Sequence, residues 1–256
     1  LTFNPGTPIE TQALRGMSLE IPTGQFVTVI GSNGAGKSTF LNAVSGEQKV
    51  DGGTIEIDGI DMTRQPVWAR ARHVARVFQD PLAGTCEDLT IEENMALAKM
   101  RGERRGFSFA VKPALREEFR AQLATLGLGL ENRLSDRIGL LSGGQRQAVS
   151  LLMAALQPSR LLLLDEHTAA LDPRTAAFVL ELTVRIVAEH KLTTMMVTHS
   201  MRQALDVGQR TVMLHQGRVV LDVSGKEREG LDVHHLLDMF EKVRGEKIDD
   251  DALLLG

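Results

Sequence analysis

Four apolar runs in this chain stop abruptly at residues able to do chemistry. "QFVTVI" runs into "GSNGAGKST", which holds Lys37, and "HVARVF" ends at Gln79. "RLLLLDE" closes on Asp165 and Glu166, and "TTMMVT" on His199. The glycine-rich stretch matches the phosphate-binding pattern G-x-x-x-x-G-K-[ST] as Gly31, Ser32, Asn33, Gly34, Ala35, Gly36, Lys37 and Ser38, with Thr39 next. Glycines there let backbone N–H groups approach phosphate oxygens closely. Lys37 is then placed for the β- and γ-phosphates, and the Ser38 hydroxyl for Mg²⁺. The acids complete such a site: Asp165 would hold the metal shell and Glu166 would polarise an attacking water. His199 suits a donor to phosphate or water. Gln79 could merely cap a loop, or it could sense magnesium and the attacking water.

A second candidate anion cradle lies in "LLSGGQRQAV". Ser142 occupies an N-cap position, Gly143 and Gly144 leave the helix start unshielded, and Gln145 follows. A helix N-terminus carries unpaired N–H groups and partial positive charge. An ordinary cap with a flexible loop would explain the stretch equally well, taken alone. Its company decides, because Gln145 precedes the metal acid by 165 − 145 = 20 residues.

Positioning these residues requires a sheet. Continuous apolar strands separated by helical stretches indicate a parallel sheet covered on both faces, and ligands bind beyond the carboxyl ends of such strands. The expected fold is therefore α/β, a P-loop NTPase core with a mostly parallel sheet. "STFLNAVSG" reads as a helix stopping at Gly46, and "TAAFVLELTVRIVAEH" as a helix between the later strands. "TFNPG", "SLEIP", "FVTVI" and "GTIEIDG" suggest further, partly antiparallel strands near the amino terminus. The stretch from Gln79 to Leu141 lacks strand patterns and reads as an inserted helical subdomain. "DVHHLLDMFEKV" reads as an amphipathic packing helix whose histidines lie at the surface.

In order along the chain, the phosphate loop, Gln79, "LSGGQ", "LLLLDE", "AALD" and "THS" resemble an ATP-binding-cassette (ABC) ATPase from about residue 3 to 222. The resemblance implies one ABC domain over 1–256: a nucleotide-binding core over 1–79 and 141–222, an inserted helical subdomain over 80–140, and a helical tail over 223–256. It implies ATP and Mg²⁺ as cofactors, with Ser38, Gln79 and Asp165 around the metal. It also implies a head-to-tail pair of two copies, in which Ser142, Gly143, Gly144 and Gln145 of one meet the γ-phosphate held by the other. "AALD" would touch the facing protomer through Asp172. Residues around 80–95 would meet transmembrane permease subunits, and a solute-binding protein would complete the system. Phe3 is the candidate for stacking on adenine. The expected location is cytoplasmic, at the inner face of the cell membrane. "FNPGT" and "DEHTAALDP" are similar to ATPase subunits of amino-acid uptake systems. One departure stands out: His167 occupies the position after the catalytic glutamate where the family usually has proline.

Composition agrees with a globular protein. The 256 residues are 43% hydrophobic and 24% charged, enough for a real core. A net charge of −4 gives no global basic field, so nucleic acid is not an expected partner. Arginines in "RQPVWARARHVAR" and "RGERRG" read as a solvated face. The single Cys86 excludes an internal disulfide. The longest apolar runs, "LLLL" and "LLMAAL", fall well short of the roughly 20 residues needed to cross a bilayer, and no secretory signal is recognised. The short sequence after "HQGRVVLD" leads us to expect no sizeable C-terminal regulatory domain. The alternatives are a soluble ABC-type ATPase in DNA repair, translation or cluster assembly, or the motor of an exporter. No long coiled coil or second cassette supports the soluble readings.

Overall fold

The computed structural model describes residues 1–103 and 111–244. The chain forms two compact units, Leu1–Arg70 with Leu192–Gly256, and Ala71–Lys191. The first opens with the antiparallel pair β1 (Thr2–Phe3) and β2 (Thr11–Gln12), followed by β3 (Phe26–Ile30) and α1 (Lys37–Ser45). A second antiparallel pair, β4 (Glu56–Ile57) and β5 (Ile60–Asp61), leads to the short α2 (Val67–Arg70). The second unit holds β6 (Val74–Val77), α3 (Ile91–Lys99), α4 (Pro113–Ala124), α5 (Gly143–Ala155), β7 (Leu161–Asp165) and α6 (Pro173–His190). The chain then returns to the first unit through β8 (Thr194–Val197), α7 (Met201–Asp206), β9 (Arg210–His215), β10 (Arg218–Ser224) and α8 (Val233–Arg244).

In the first unit β3 is buried at every residue and pairs in parallel with both β8 and β9. Burial on both faces explains its continuous apolar sequence. Val29 faces Val197 on one side and Val212 on the other, so β3 and β8 end side by side. In the second unit β6 and β7 pair in parallel with Val77 beside Leu164, so their ends also coincide. β10 returns antiparallel to β9 through Gln216 and Gly217, both at positive φ, as a tight hairpin turn requires. Helix α8 covers part of the first unit's core with Leu236 and Phe240, packed with Met201, Ala204 and Met213.

The helical segment has its own local signals. Thr90 caps α3 and exchanges bonds with Glu93, Pro113 opens α4, and Asp172 caps α6 ahead of Pro173. Among the described residues of 80–140 there is no strand, only an isolated bridge between Thr90 and Arg137.

Two expectations are corrected. "SLEIP" forms no strand: residues 17–21 alternate between half-buried and exposed, and no backbone ladder pairs with them, the Glu20 carbonyl instead accepting from the Arg210 guanidinium. The alternation reports partial burial, which is not ladder pairing. The arginines of "RQPVWARARHVAR" are not a uniform solvated face, although Arg72 is exposed beside Glu103. Arg70 is only 2% exposed and donates to the carbonyls of Ala43, Val44, Thr63 and Gln65. It thereby satisfies the open end of α1, where helix carbonyls lack partners. Arg101 of "RGERRG" does the same for α5, donating to Ala154 O and Gln157 O, while Arg104 and Arg105 lie outside the described residues. Arg228 closes α7 through Ala204 O, Leu205 O and Val207 O.

Candidate active site

The phosphate loop leaves β3 and feeds α1 directly. Gly36, the N-cap of α1, has φ of 100°, a region that favours glycine, and it makes no side-chain cap bond. A Cβ there would stand 2.7 Å from Ala13 O. The loop is therefore seated on the irregular segment that follows β2, and the ladder carrying Phe3 is attached to it through that neighbour. Lys37 is only 5% exposed, and its ammonium folds back to donate to Gly31 O at 2.7 Å and Ser32 O at 3.3 Å. Asn33, Gly34 and Ser38 are exposed, whereas Ala35 is buried and Ser32 and Thr39 half-buried. A buried cation beside an uncapped helix start suits an anion by charge and by donor supply.

His199 lies just beyond β8, half-buried, in the same unit and at the same strand ends as the loop. Ser200 behind it caps α7 by accepting from Gln203 N. The polar network of Thr28, Thr211 and Ala204 O fixes α7 against β3 and β9, with a 3.0 Å bond between the two threonine hydroxyls.

The second unit brings Gln79, Asp165 and Glu166 to the ends of the paired β6 and β7. Gln79 is exposed, whereas Asp165 and Glu166 are 9% and 8% exposed. Glu166 turns the chain with φ of 46°, unusual for a non-glycine residue. Ala169 N donates to Glu166 O at 2.9 Å and closes the turn. Arg76, on β6, reaches Asp165 at 2.7 Å and lies over the Phe78 ring at 4.7 Å. Sequence reasoning missed this partner, although a charged residue inside the otherwise apolar "HVARVF" was its signal.

The signature stretch folds as a capped helix start. Ser142 Oγ accepts from Gln145 N, and the Gln145 side chain accepts from Ser142 N, closing a capping box. Ser142 and Gly143 are exposed. Gly144 has a packing reason: a Cβ there would fall 2.1 Å from Thr175 Cγ2, at the start of α6. Arg146 donates to the carbonyls of Ile138, Gly139 and Leu141 and ties the preceding loop to the helix. Asp172 is exposed, and Thr175 donates to it and holds its carboxyl below the usual carboxylate range.

The sequence profile described as ABC transporter matches residues 14–169. The chain belongs to the ABC transporter family. It is 46% identical over 228 residues to a tyrosine transport ATP-binding protein of Clostridioides difficile strain R20291, covering 88% of this chain and 89% of the relative. It is 34% identical over 213 residues to an aliphatic sulfonates import ATP-binding protein of Agrobacterium fabrum, covering 83% and 74%. The ATP-binding cassette MJ0796, solved as a dimer in a post-hydrolysis state with ADP and Pi, aligns with a TM-score of 0.74 at 28% identity. That alignment covers 87% of this chain and 94% of the cassette. The protein is thus an ATP-binding ATPase of the ABC cassette fold. No described helix of the chain is long and apolar enough to cross a membrane.

Proposed function

We propose that this ABC ATPase powers the import of a small nutrient, and that two copies close on two ATP molecules. The observation that carries the nucleotide chemistry is the uncapped start of α1 with the buried Lys37 ammonium behind it. Lys37 binds the β- and γ-phosphates together with the loop amides of residues 31–39. The hydroxyl of Ser38 and the carboxylate of Asp165 are hard oxygen donors of the kind Mg²⁺ takes alongside phosphate, and Gln79 is the third residue assigned to the metal. Magnesium bound there supplies neutralisation of the charge that grows on the phosphate oxygens. Glu166 accepts the proton of the water that attacks the γ-phosphorus, the bond to the β-phosphate oxygen breaks, and ADP and phosphate leave. Lys37 and His199 donate to oxygens whose charge rises during that step.

Ser142, Gly143, Gly144 and Gln145 serve the ATP of the facing copy, and Asp172 contacts that copy. Phe3 stacks on adenine. Closure and reopening pass to transmembrane subunits through the helical segment around residues 80–95, which places the protein at the cytoplasmic face of the membrane. The likeness to a tyrosine transport protein supports an amino-acid-like cargo, and a solute-binding protein completes the proposed system.

Glu166→Gln will form an ATP-dependent dimer without turnover, measured by gel filtration and phosphate release. Ser142→Arg in that background will abolish the dimer. Monomers in ATP for Glu166→Gln both with and without Ser142→Arg would refute the two-cradle reading. Affinity capture from detergent-solubilised membranes will recover a polytopic membrane protein in near-equal amount. Recovery of soluble partners alone would leave the ATPase chemistry and remove the transport assignment.

A further inference from the structure

The residue after Glu166 is His167, where the family that the sequence resembles usually has proline. Proline fixes its own φ and restricts the residue before it, so a chain without it must hold this turn by other means. The structure supplies a side-chain anchor. His167 is 2% exposed, and its Nε2 lies 2.9 Å from the Thr183 hydroxyl in the middle of α6. Thr183 is fully buried and spends its own proton on Val179 O at 2.8 Å. Its oxygen therefore receives a bond from the imidazole, which fixes the Nε2–H tautomer.

The bond closes a short circuit of chain. At one end stands Glu166, in the left-handed region at φ of 46°, a conformation that persists only where surroundings enforce it. Between the two anchor points lie "AALD" and Asp172, the N-cap of α6. Helix α6 itself packs on the signature helix, where Thr175 leaves room only for glycine at 144. One buried hydrogen bond thus links the turn of the catalytic acid to the helix that abuts the signature start.

We propose that His167 is a positioning residue for Glu166, holding the catalytic turn to α6 through Thr183 in place of the backbone restraint of a proline. The proposal rests on the reading of Glu166 as the base, so Glu166→Gln is measured in parallel. Thr183→Val, which keeps shape and loses the hydroxyl, will lower kcat by about 10- to 100-fold, the scale of a misplaced reacting group. Its KM and the affinity for a fluorescent ATP analogue will stay within about twofold, because binding does not use Glu166. His167→Ala will do the same, and the double variant will be no slower than either single one. His167→Gln, whose amide N–H can replace the imidazole donor, and Thr183→Ser will recover most of the loss. Unchanged kcat in Thr183→Val, multiplicative losses in the double variant, or a loss shared between KM and kcat without rescue by glutamine would overturn it. Full turnover in Glu166→Gln would instead overturn the assignment of the base. Thermal melting of each variant separates a displaced turn from an unfolded protein.

Discussion

The two anion cradles of this chain are built in opposite ways. The start of α1 has no side-chain cap and a buried lysine pointing back into its own loop. The start of α5 is closed by Ser142 and Gln145, with the serine at the surface. A helix start that caps itself has part of its donor set satisfied without a ligand, whereas one left open with a buried ammonium is best satisfied when an anion arrives. The contrast fits the proposed division of labour: the first cradle keeps its nucleotide in the monomer, and the second engages one only when a partner presents it.

The sharpest way to break that contrast is to remove the lysine. Lys37→Ala will abolish detectable binding of a fluorescent ATP analogue by the monomer and lower turnover by about 10² to 10³-fold, as loss of a transition-state donor does. Ser142→Arg will leave monomer binding intact and remove only the nucleotide-dependent dimer. Equal loss of monomer binding in both variants would show that the cradles are not distinct.

The far ends of the same helices extend the comparison. Arg70 gives α1 two carbonyl bonds and the adjoining loop two more, while Arg101 gives the end of α5 two. Burial lowers the pKa of both guanidinium groups from the ordinary arginine value, and both sites remain cationic. Arg70→Met leaves several buried carbonyls unpaired and will lower stability by about 3 kcal/mol, read by chemical denaturation. It will also weaken nucleotide binding, because α1 carries the loop. Arg101→Met will lower stability by about 1–2 kcal/mol and spare monomer binding while weakening the ATP-dependent dimer.

A smaller effect isolates the packing of the signature helix. Gly144→Ala drives a Cβ to 2.1 Å from Thr175 Cγ2 and will lower stability by about 1–3 kcal/mol. Thr175→Ser removes that methyl, leaving nothing closer than 3.5 Å, and will restore most of the loss. Failure of the pair to compensate would mean that the glycine serves only the approach of the facing nucleotide.

Much of this architecture was legible because strand ends and glycine patterns are local signals. The continuous burial of β3 and β7 leaves unbroken apolar runs, and the polar residues that end them stand out against such runs. The hairpin of β9 and β10 carried a usable signal in Gln216-Gly217, a turn dipeptide with both residues at positive φ. Arginine was read poorly for a physical reason. Composition marks it as a surface residue, yet a guanidinium at a helix end can be buried when backbone carbonyls replace water, as at Arg70. Its partners at the end of α1 lie 26 and 27 residues away in sequence, so no local pattern announces them. His167 and Thr183 are hidden in the same way, since their pairing depends on how α6 returns past the end of β7.

The mildest test concerns the cap itself. Ser142→Ala deletes the oxygen that accepts from Gln145 N and breaks the capping box, which costs about 1 kcal/mol in comparable helices. Ser142→Gly will cost only a few tenths, because glycine lets water reach the orphaned N–H groups. If the serine acts mainly as a cap, ATP-dependent dimerisation in the Glu166→Gln background will follow the same order, with glycine closer to the parent than alanine. If its hydroxyl donates to the facing γ-phosphate, both variants will lose the dimer equally while their melting temperatures differ. The open cradle at α1 has no side-chain cap to remove, so stability and binding cannot be separated there by such a pair of substitutions. Only the self-capped helix offers that separation, and it does so at one exposed atom.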